Sequence, residues 1–198
     1  MSAKNTIIAL AIGDPNGIGP EIAVRAAMAR SRERVVLVGD AHVIEHYARL
    51  VAPGVETREF DPAAPAREGA LDIHPVAALP PAAFAPGRVA PDAGRATVAY
   101  VEAALELAKN GRARAIVACP HNETAVNAAG IAFSGYPELI AGLTGNAGRV
   151  FLMLVGGGLR IVHATLHERI HDALARLTPD LVEAAALNRK STRLNCSH

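Results

Sequence analysis

Three stretches of the chain carry side chains whose types and spacing could do chemistry. The first is "GDPNGIGPE" at 13–21, three glycines and two prolines between an apolar run and a helical-looking segment. If it joins a strand to a helix, its backbone N–H groups can face an anion, aided by the helix dipole. It is not a P-loop, since no Gly-Lys-Ser/Thr follows. It is not the dinucleotide fingerprint either, because Ile22 stands where Gly17-x-Gly19 would require Gly or Ala. Composition alone favours a tight structural turn. Asp14, a carboxylate at the tip of a strand, is what points to an active cleft.

The second stretch is "ACPHNETAVN" at 118–127, where His121, Asn122, Glu123, Thr124 and Asn127 bunch behind a strand ending at Cys119-Pro120. Loops on an α/β scaffold converge on one crevice, so such a cluster suits a site, and a solvated connection is the plainer alternative for any one member. Cys119 has no activating neighbour beyond His121 and is expected to be a buried structural thiol. The third stretch, "LRIVHATLHERIHDAL" at 159–174, spaces His163, His167 and His171 four apart. Neutral imidazoles could contribute to a divalent-metal site, although a lone histidine is more often a hydrogen-bonded structural residue. No second cluster with ligand spacing is visible, so these residues alone make an incomplete site.

The elements that must position these residues alternate along the chain. Strands are expected at Thr6–Ile12, Arg34–Val38, Val55–Phe60, Ala115–Cys119, Val150–Leu154 and Leu159–Thr165, each short and apolar on both faces, as when helices cover both sides of a sheet. Helices are expected at Pro20–Arg30, Ala41–Leu50, Gly94–Asn110, Glu138–Leu143, Glu168–Leu177 and from Asp180 onward. Strand then helix, repeated, implies an α/β fold with a mostly parallel sheet between two helical layers. The proline-rich stretch Asp61–Asp92 is expected to be a linker or an excursion between core elements. The polar ending "NRKSTRLNCSH" is expected to break the helix from Asp180. It reads as a non-native tail at 188–198, with a frayed native tail as the alternative.

Composition bounds the function. The chain has 198 residues, 51% hydrophobic and 20% charged, enough for a sizeable core rather than disorder. Net charge +1 and scattered basic residues give no electrostatic case for nucleic acid or a membrane surface. Aromatic residues are 4% with no tryptophan, which argues against a base-stacking platform. Cys119 and Cys196 form no framework and no CxxC pair, which suits a reducing cytoplasm. The apolar run near the N-terminus breaks at Gly13, too short for a span, and reads as a buried first strand.

Taken together, "GDPNGIGPEI" at 13–22, "NAAGIAFSGYPELIA" at 127–141 and "LRIVHATLHE" at 159–168 resemble the family of 4-hydroxythreonine-4-phosphate dehydrogenases. The similarity is nearer to a branch of NAD-dependent, decarboxylating dehydrogenases acting on the cis-dihydrodiol of terephthalate, through "ACPHNETA", "AGIAFSGYP" and "VFLMLVGGGLRIVHATLHE". The resemblance implies an isocitrate/isopropylmalate dehydrogenase-like two-domain architecture, of which 1–187 would be the N-terminal portion and the rest would be missing. It implies NAD, a divalent metal (zinc, with magnesium or cobalt as alternatives) and a small-molecule substrate, bound at the interface of a homodimer. His167 matches the family's first metal-ligand histidine, and two further ligands belong to the portion not represented.

The departures from the family bear on substrate. The biosynthetic enzymes carry a lysine where this chain has Glu123, and a substrate-contacting His-Thr pair where it has Tyr136-Pro137. A carboxylate repels a phosphate, and proline offers no N–H, so the pattern points away from a phosphorylated substrate toward a cyclic diol. Tyr136 and Pro137 are assigned to the substrate cleft by matching position, and Asn127 by motif. Asp14, also placed by motif, is assigned to catalysis. The expected reaction passes hydride from a hydroxyl-bearing carbon to NAD, then releases carbon dioxide, giving protocatechuate from the diol. The alternatives are a 4-phosphohydroxythreonine dehydrogenase and an inactive truncated chain.

Overall fold

The computed structural model describes residues 7–29, 33–146, 150–166 and 168–194. Strands β1 (Ile7–Ala11), β2 (Arg34–Gly39), β3 (Glu56–Glu59), β4 (Ala70–Pro75) and β5 (Ala115–Ala118) form one parallel sheet, ordered β3-β4-β2-β1-β5. The apolar runs are what bury: Ala9, Leu10 and Ala11 of β1 and Val36, Leu37 and Val38 of β2 lie in the core. β1 is hydrogen-bonded on both sides, with Ile8 in register with Val35 and with Ala115.

Helices α1 (Gly19–Met28) and α2 (Ala41–Val51) pack against each other and against the sheet, whereas α3 (Pro91–Lys109) packs on β1 and β2 and is partnered by α4 (Glu123–Ala128). The connections through α1 and α2 advance in one direction from β1, and the connection through α3 returns across it to β5. Right-handed crossovers therefore put α3 on the opposite face, which gives the expected three layers. The parallel sheet agrees with expectation, but β4 was not anticipated. It lies inside the proline-rich stretch, and its buried Asp72 disguises it as a polar segment. That carboxylate is neutralised by Arg34 and Arg58, each with Nε 2.6 Å from an Asp72 oxygen. A charge at this depth is tolerable only when so paired.

One compact unit ends at Phe133 and a second begins at Ser134. The second contains α5 (Tyr136–Leu143), β6 (Leu152–Gly156), β7 (Leu159–His163), α6 (Ile170–Arg176) and α7 (Pro179–Leu194). Here two expectations are corrected. β6 and β7 are not buried parallel strands but an antiparallel hairpin, with Leu154, Val155, Leu159 and Ile161 exposed. Gly157 and Gly158, at φ +55° and +78°, form its two-residue turn, and a connection that short can join only antiparallel strands. Nor does the polar ending break the last helix, since α7 continues to Leu194. "NRKST" contains no glycine or proline, so nothing in it stops helical hydrogen bonding. No described helix is long and apolar enough to cross a membrane.

The α3–α4 contact is set by backbone approach. A Cβ on Gly94 would lie 2.2 Å from the Ala125 carbonyl oxygen and 2.6 Å from the Val126 nitrogen. Gly94→Ala is therefore expected to cost about 1–3 kcal/mol, as overpacking does, and to lower the thermal midpoint accordingly. A melt indistinguishable from the parent would show that the two helices separate freely.

Candidate active site

The chain advances from β1 to β2 on one side and reaches β5 on the other, so the loops behind β1 and β5 flank a topological switch point. Ligands of open α/β sheets bind at this place. The two loops are joined: the Asp14 N–H donates to the Pro120 carbonyl at 3.0 Å. Gly13 makes the approach possible. Its φ is +75°, and a Cβ there would lie 2.3 Å from the Pro120 oxygen.

Asp14 is only 3% exposed. The Asn16 N–H donates to its Oδ1 at 2.9 Å, and no described residue donates to Oδ2. Burial pushes the carboxyl above its ordinary value, and the Asn16 amide pulls it partly back. A second buried carboxylate, Asp40, stands at the end of β2. It accepts from the Ala78 and Leu79 N–H groups at 3.2 and 2.9 Å and from the Tyr100 hydroxyl at 2.5 Å. Burial and that carboxylate raise the Tyr100 phenol far above its usual range. Sequence reasoning missed Asp40, although "AIGD" and "LVGD" close adjacent strands with the same dipeptide.

Behind β5 the polar cluster is not a loop but α4, capped by Asn122, whose side chain accepts from the Ala125 N–H at 3.0 Å. His121 stands just before it, half-buried and edge-on to the Phe133 ring at 4.7 Å between centroids. Burial lowers the His121 pKa, and Glu123 in the first turn of α4 raises it in part. The Asn127 amide is committed to backbone: Nδ2 donates to the Glu123 and Phe133 carbonyls, both at 3.0 Å, and Oδ1 accepts from the Phe133 N–H at 3.2 Å. It holds Phe133, and Phe133 holds His121. Cys119 is buried, and burial pushes its thiol up to about 11, as suits the expected structural role.

Tyr136 and Pro137 open α5 in the second unit, both half-buried. His167, the expected metal ligand, lies outside the described residues. His163 is half-buried at the end of β7, and His171 is exposed with Nδ1 3.4 Å from its neighbour Asp172. Among the described residues no three His, Cys, Asp or Glu side chains come together as a metal site. The second unit also holds a cavity of about 280 Å³ lined in part by Glu138, Phe151, Thr165 and the ion pair Glu168–Arg176, 3.1 Å apart.

A parallel sheet between helices, with the buried carboxylate Asp14 at its switch point, is an α/β architecture. Residues 31–195 match the family of the pyridoxal phosphate biosynthetic protein PdxA, and the chain belongs to that family. The match runs past Leu187, into the stretch expected to be non-native. The chain is 44% identical over 188 residues to the 1,2-dihydroxy-3,5-cyclohexadiene-1,4-dicarboxylate dehydrogenase of a Comamonas species, covering 92% of this chain and 55% of that protein. It is 37% identical to the 4-hydroxythreonine-4-phosphate dehydrogenase of Aromatoleum aromaticum, covering 91% and 54%. Among solved structures, a terephthalate 1,2-cis-dihydrodiol dehydrogenase from Burkholderia xenovorans is 53% identical with a TM-score of 0.71, covering 91% and 54%. A 4-hydroxythreonine-4-phosphate dehydrogenase from Burkholderia phymatum is 30% identical with a TM-score of 0.84, covering 97% and 59%. The chain spans about half the length of the curated relatives it matches.

Asp14 yields a stability prediction. Its folded pKa lies above the unfolded value of 3.8, so in the window just above 3.8 the folded chain binds more protons than the unfolded. Its contribution to stability therefore falls as pH rises through that window. Asp14→Asn removes the buried charge and should flatten the decline. Urea unfolding between pH 4 and 7 measures this; an unchanged slope would refute it.

Proposed function

We propose that this chain contributes the Asp14 crevice to an NAD-dependent, divalent-metal-dependent dehydrogenase that oxidises and decarboxylates the cis-dihydrodiol of terephthalate. The observation that carries the reading is identity: 44% and 53% to proteins named for the dihydrodiol or its dicarboxylate, against 28–37% to those named for 4-hydroxythreonine-4-phosphate. The same reading gives the complete enzyme an isocitrate dehydrogenase-like two-domain architecture and a homodimeric site.

The chemistry derived from this chain's own groups is limited to binding and proton handling. Asp14 Oδ2 can accept a hydrogen bond from a substrate hydroxyl, and its raised pKa suits a group that exchanges protons. His121, biased toward its neutral form, can do the same from the β5 side. Glu123 is exposed in the first turn of α4, where a carboxylate repels phosphate and would work against a phosphorylated substrate. Metal and nicotinamide chemistry would supply a hydride acceptor and a charge sink. The described residues form neither a three-ligand cluster nor a GxGxxG turn, so no step is assigned to either group.

A second reading, 4-phosphohydroxythreonine oxidation, is favoured by one observation: the Burkholderia phymatum structure superposes with the higher TM-score, 0.84 against 0.71. Backbone likeness reports the fold, which both branches share, and residue identity bears more directly on the pocket. NAD reduction measured on the protein with zinc, offering each substrate separately, tests the choice. A preference for the diol of about tenfold or more in kcat/KM is expected, and a preference for the phosphorylated substrate overturns it. Replacing Glu123, Tyr136 and Pro137 together by Lys, His and Thr should move that preference toward the phosphorylated substrate.

A further inference from the structure

The proline-rich stretch behaves as a strap across the ends of the strands. It leaves β4 pinned to the end of β2: Val76 N–H donates to the Gly39 carbonyl at 3.0 Å, and Ala78 and Leu79 donate to Asp40. After a 3₁₀ turn at Pro81–Ala83, Phe84 sits edge-on to three rings of α2. His42, His46 and Tyr47 lie at centroid distances of 5.9, 5.1 and 6.4 Å. The strap then meets the loop that carries Asp14.

There a single residue holds it. Asn16 Oδ1 accepts from the Ala85 N–H at 2.9 Å, Nδ2 donates to the Arg88 carbonyl at 3.2 Å, and the Asn16 carbonyl accepts from the Gly87 N–H at 2.7 Å. Among the described residues, no other member of the 13–18 loop bonds the strap. The same Asn16 is buried and donates its own N–H to Asp14 Oδ1 at 2.9 Å. With both ends of its amide hydrogen-bonded, the Asn16 rotamer and backbone are restrained.

We infer that Asn16 is a positioning residue for Asp14: the strap, clasped by the Asn16 amide, keeps the Asn16 N–H on the Asp14 carboxylate. This inference rests on reading the Asp14 crevice as the working site. The clasp explains why a long, proline-rich connection crosses the strand ends, since proline lowers the entropy lost when such a segment is ordered. Titratable phenols face the carboxylate from two helices. Asp14 raises the phenols of Tyr47 on α2 and Tyr100 on α3, and Glu21 on α1 also acts on Tyr47.

The test is the carboxyl titration of Asp14, followed by ¹³C NMR, together with amide exchange at Ala85, in three variants. Asn16→Ala removes both side-chain bonds, Asn16→Asp keeps the acceptor for Ala85, and Phe84→Ala loosens the strap from α2 with the loop sequence unchanged. Exchange at Ala85 should speed up about tenfold or more in Asn16→Ala and Phe84→Ala and by less in Asn16→Asp, which keeps the Ala85 acceptor and loses the bond to Arg88. The Asp14 midpoint should move further up in Asn16→Ala and in Phe84→Ala, because the amide that holds it down is released. An unmoved midpoint in both overturns the inference, and so does movement in Asn16→Ala alone, which would leave the strap without a part. If Asn16→Ala fails to fold, Phe84→Ala decides by the same readouts, because the new carboxylate of Asn16→Asp would itself raise the Asp14 midpoint. None of these measurements needs turnover, so a protein silent toward every substrate would refute the proposed activity and leave this inference standing.

Discussion

The hydrogen bond from the Asp14 N–H to the Pro120 carbonyl, 3.0 Å long, ties the loops of β1 and β5 where the sheet changes direction. It requires Gly13, whose absent side chain lets the two backbones meet. The bond links the loop of β1, an interior strand, to that of β5, the edge strand beside it. α1 starts from one loop and α4 from the other, so a shift here would move both helices. The polar groups of the candidate site are arranged about this contact.

Among the described residues, three buried carboxylates show how the fold distributes charge. Asp72 lies between two guanidinium groups, Arg34 and Arg58, and serves to hold β4 and the segment after β3 in place. Asp40 receives two amides and a phenol and anchors the start of the strap. Asp14 receives one amide. Burying a charge costs several kcal/mol unless partners restore what water supplied. The carboxylate with the fewest partners is the one at the switch point, where a perturbed group is most useful. Asp72 and Asp40 each have more hydrogen-bond donors than Asp14 has.

Much of this was legible in the residues, and the failures have physical causes. The strands β1, β2 and β5 follow from apolar runs, and α3 from its long periodic face of small residues. β4 escaped notice because Asp72 and the flanking prolines mimic a loop, and only Arg34, 38 residues away in sequence, makes that aspartate tolerable in a strand. α4 was hidden by its own cap, since Asn122-Glu123-Thr124 reads as polar surface until its hydrogen bonds are seen. The Gly157-Gly158 turn was a hairpin signal outweighed by the alternating pattern of the rest. The hydrogen bonds between the Asn127 amide and the Phe133 backbone leave no mark in the motif.

The sequence by itself determined the α/β class, the strand and helix alternation, the family, and the positions of Asp14 and the His121 cluster at strand ends. Those are local properties: periodicity, turn chemistry and motif are written in neighbouring residues. Tertiary structure alone decided that the proline-rich stretch is a strap and that Asn16 is its clasp. It also decided that Asp40 and Tyr100 pair across 60 positions and that the Asn127 amide bonds the Phe133 backbone. These relations depend on side chains far apart in the chain being brought within hydrogen-bonding or ring-contact distance. No local pattern encodes that, because a buried polar group's meaning is set by the partner that satisfies it.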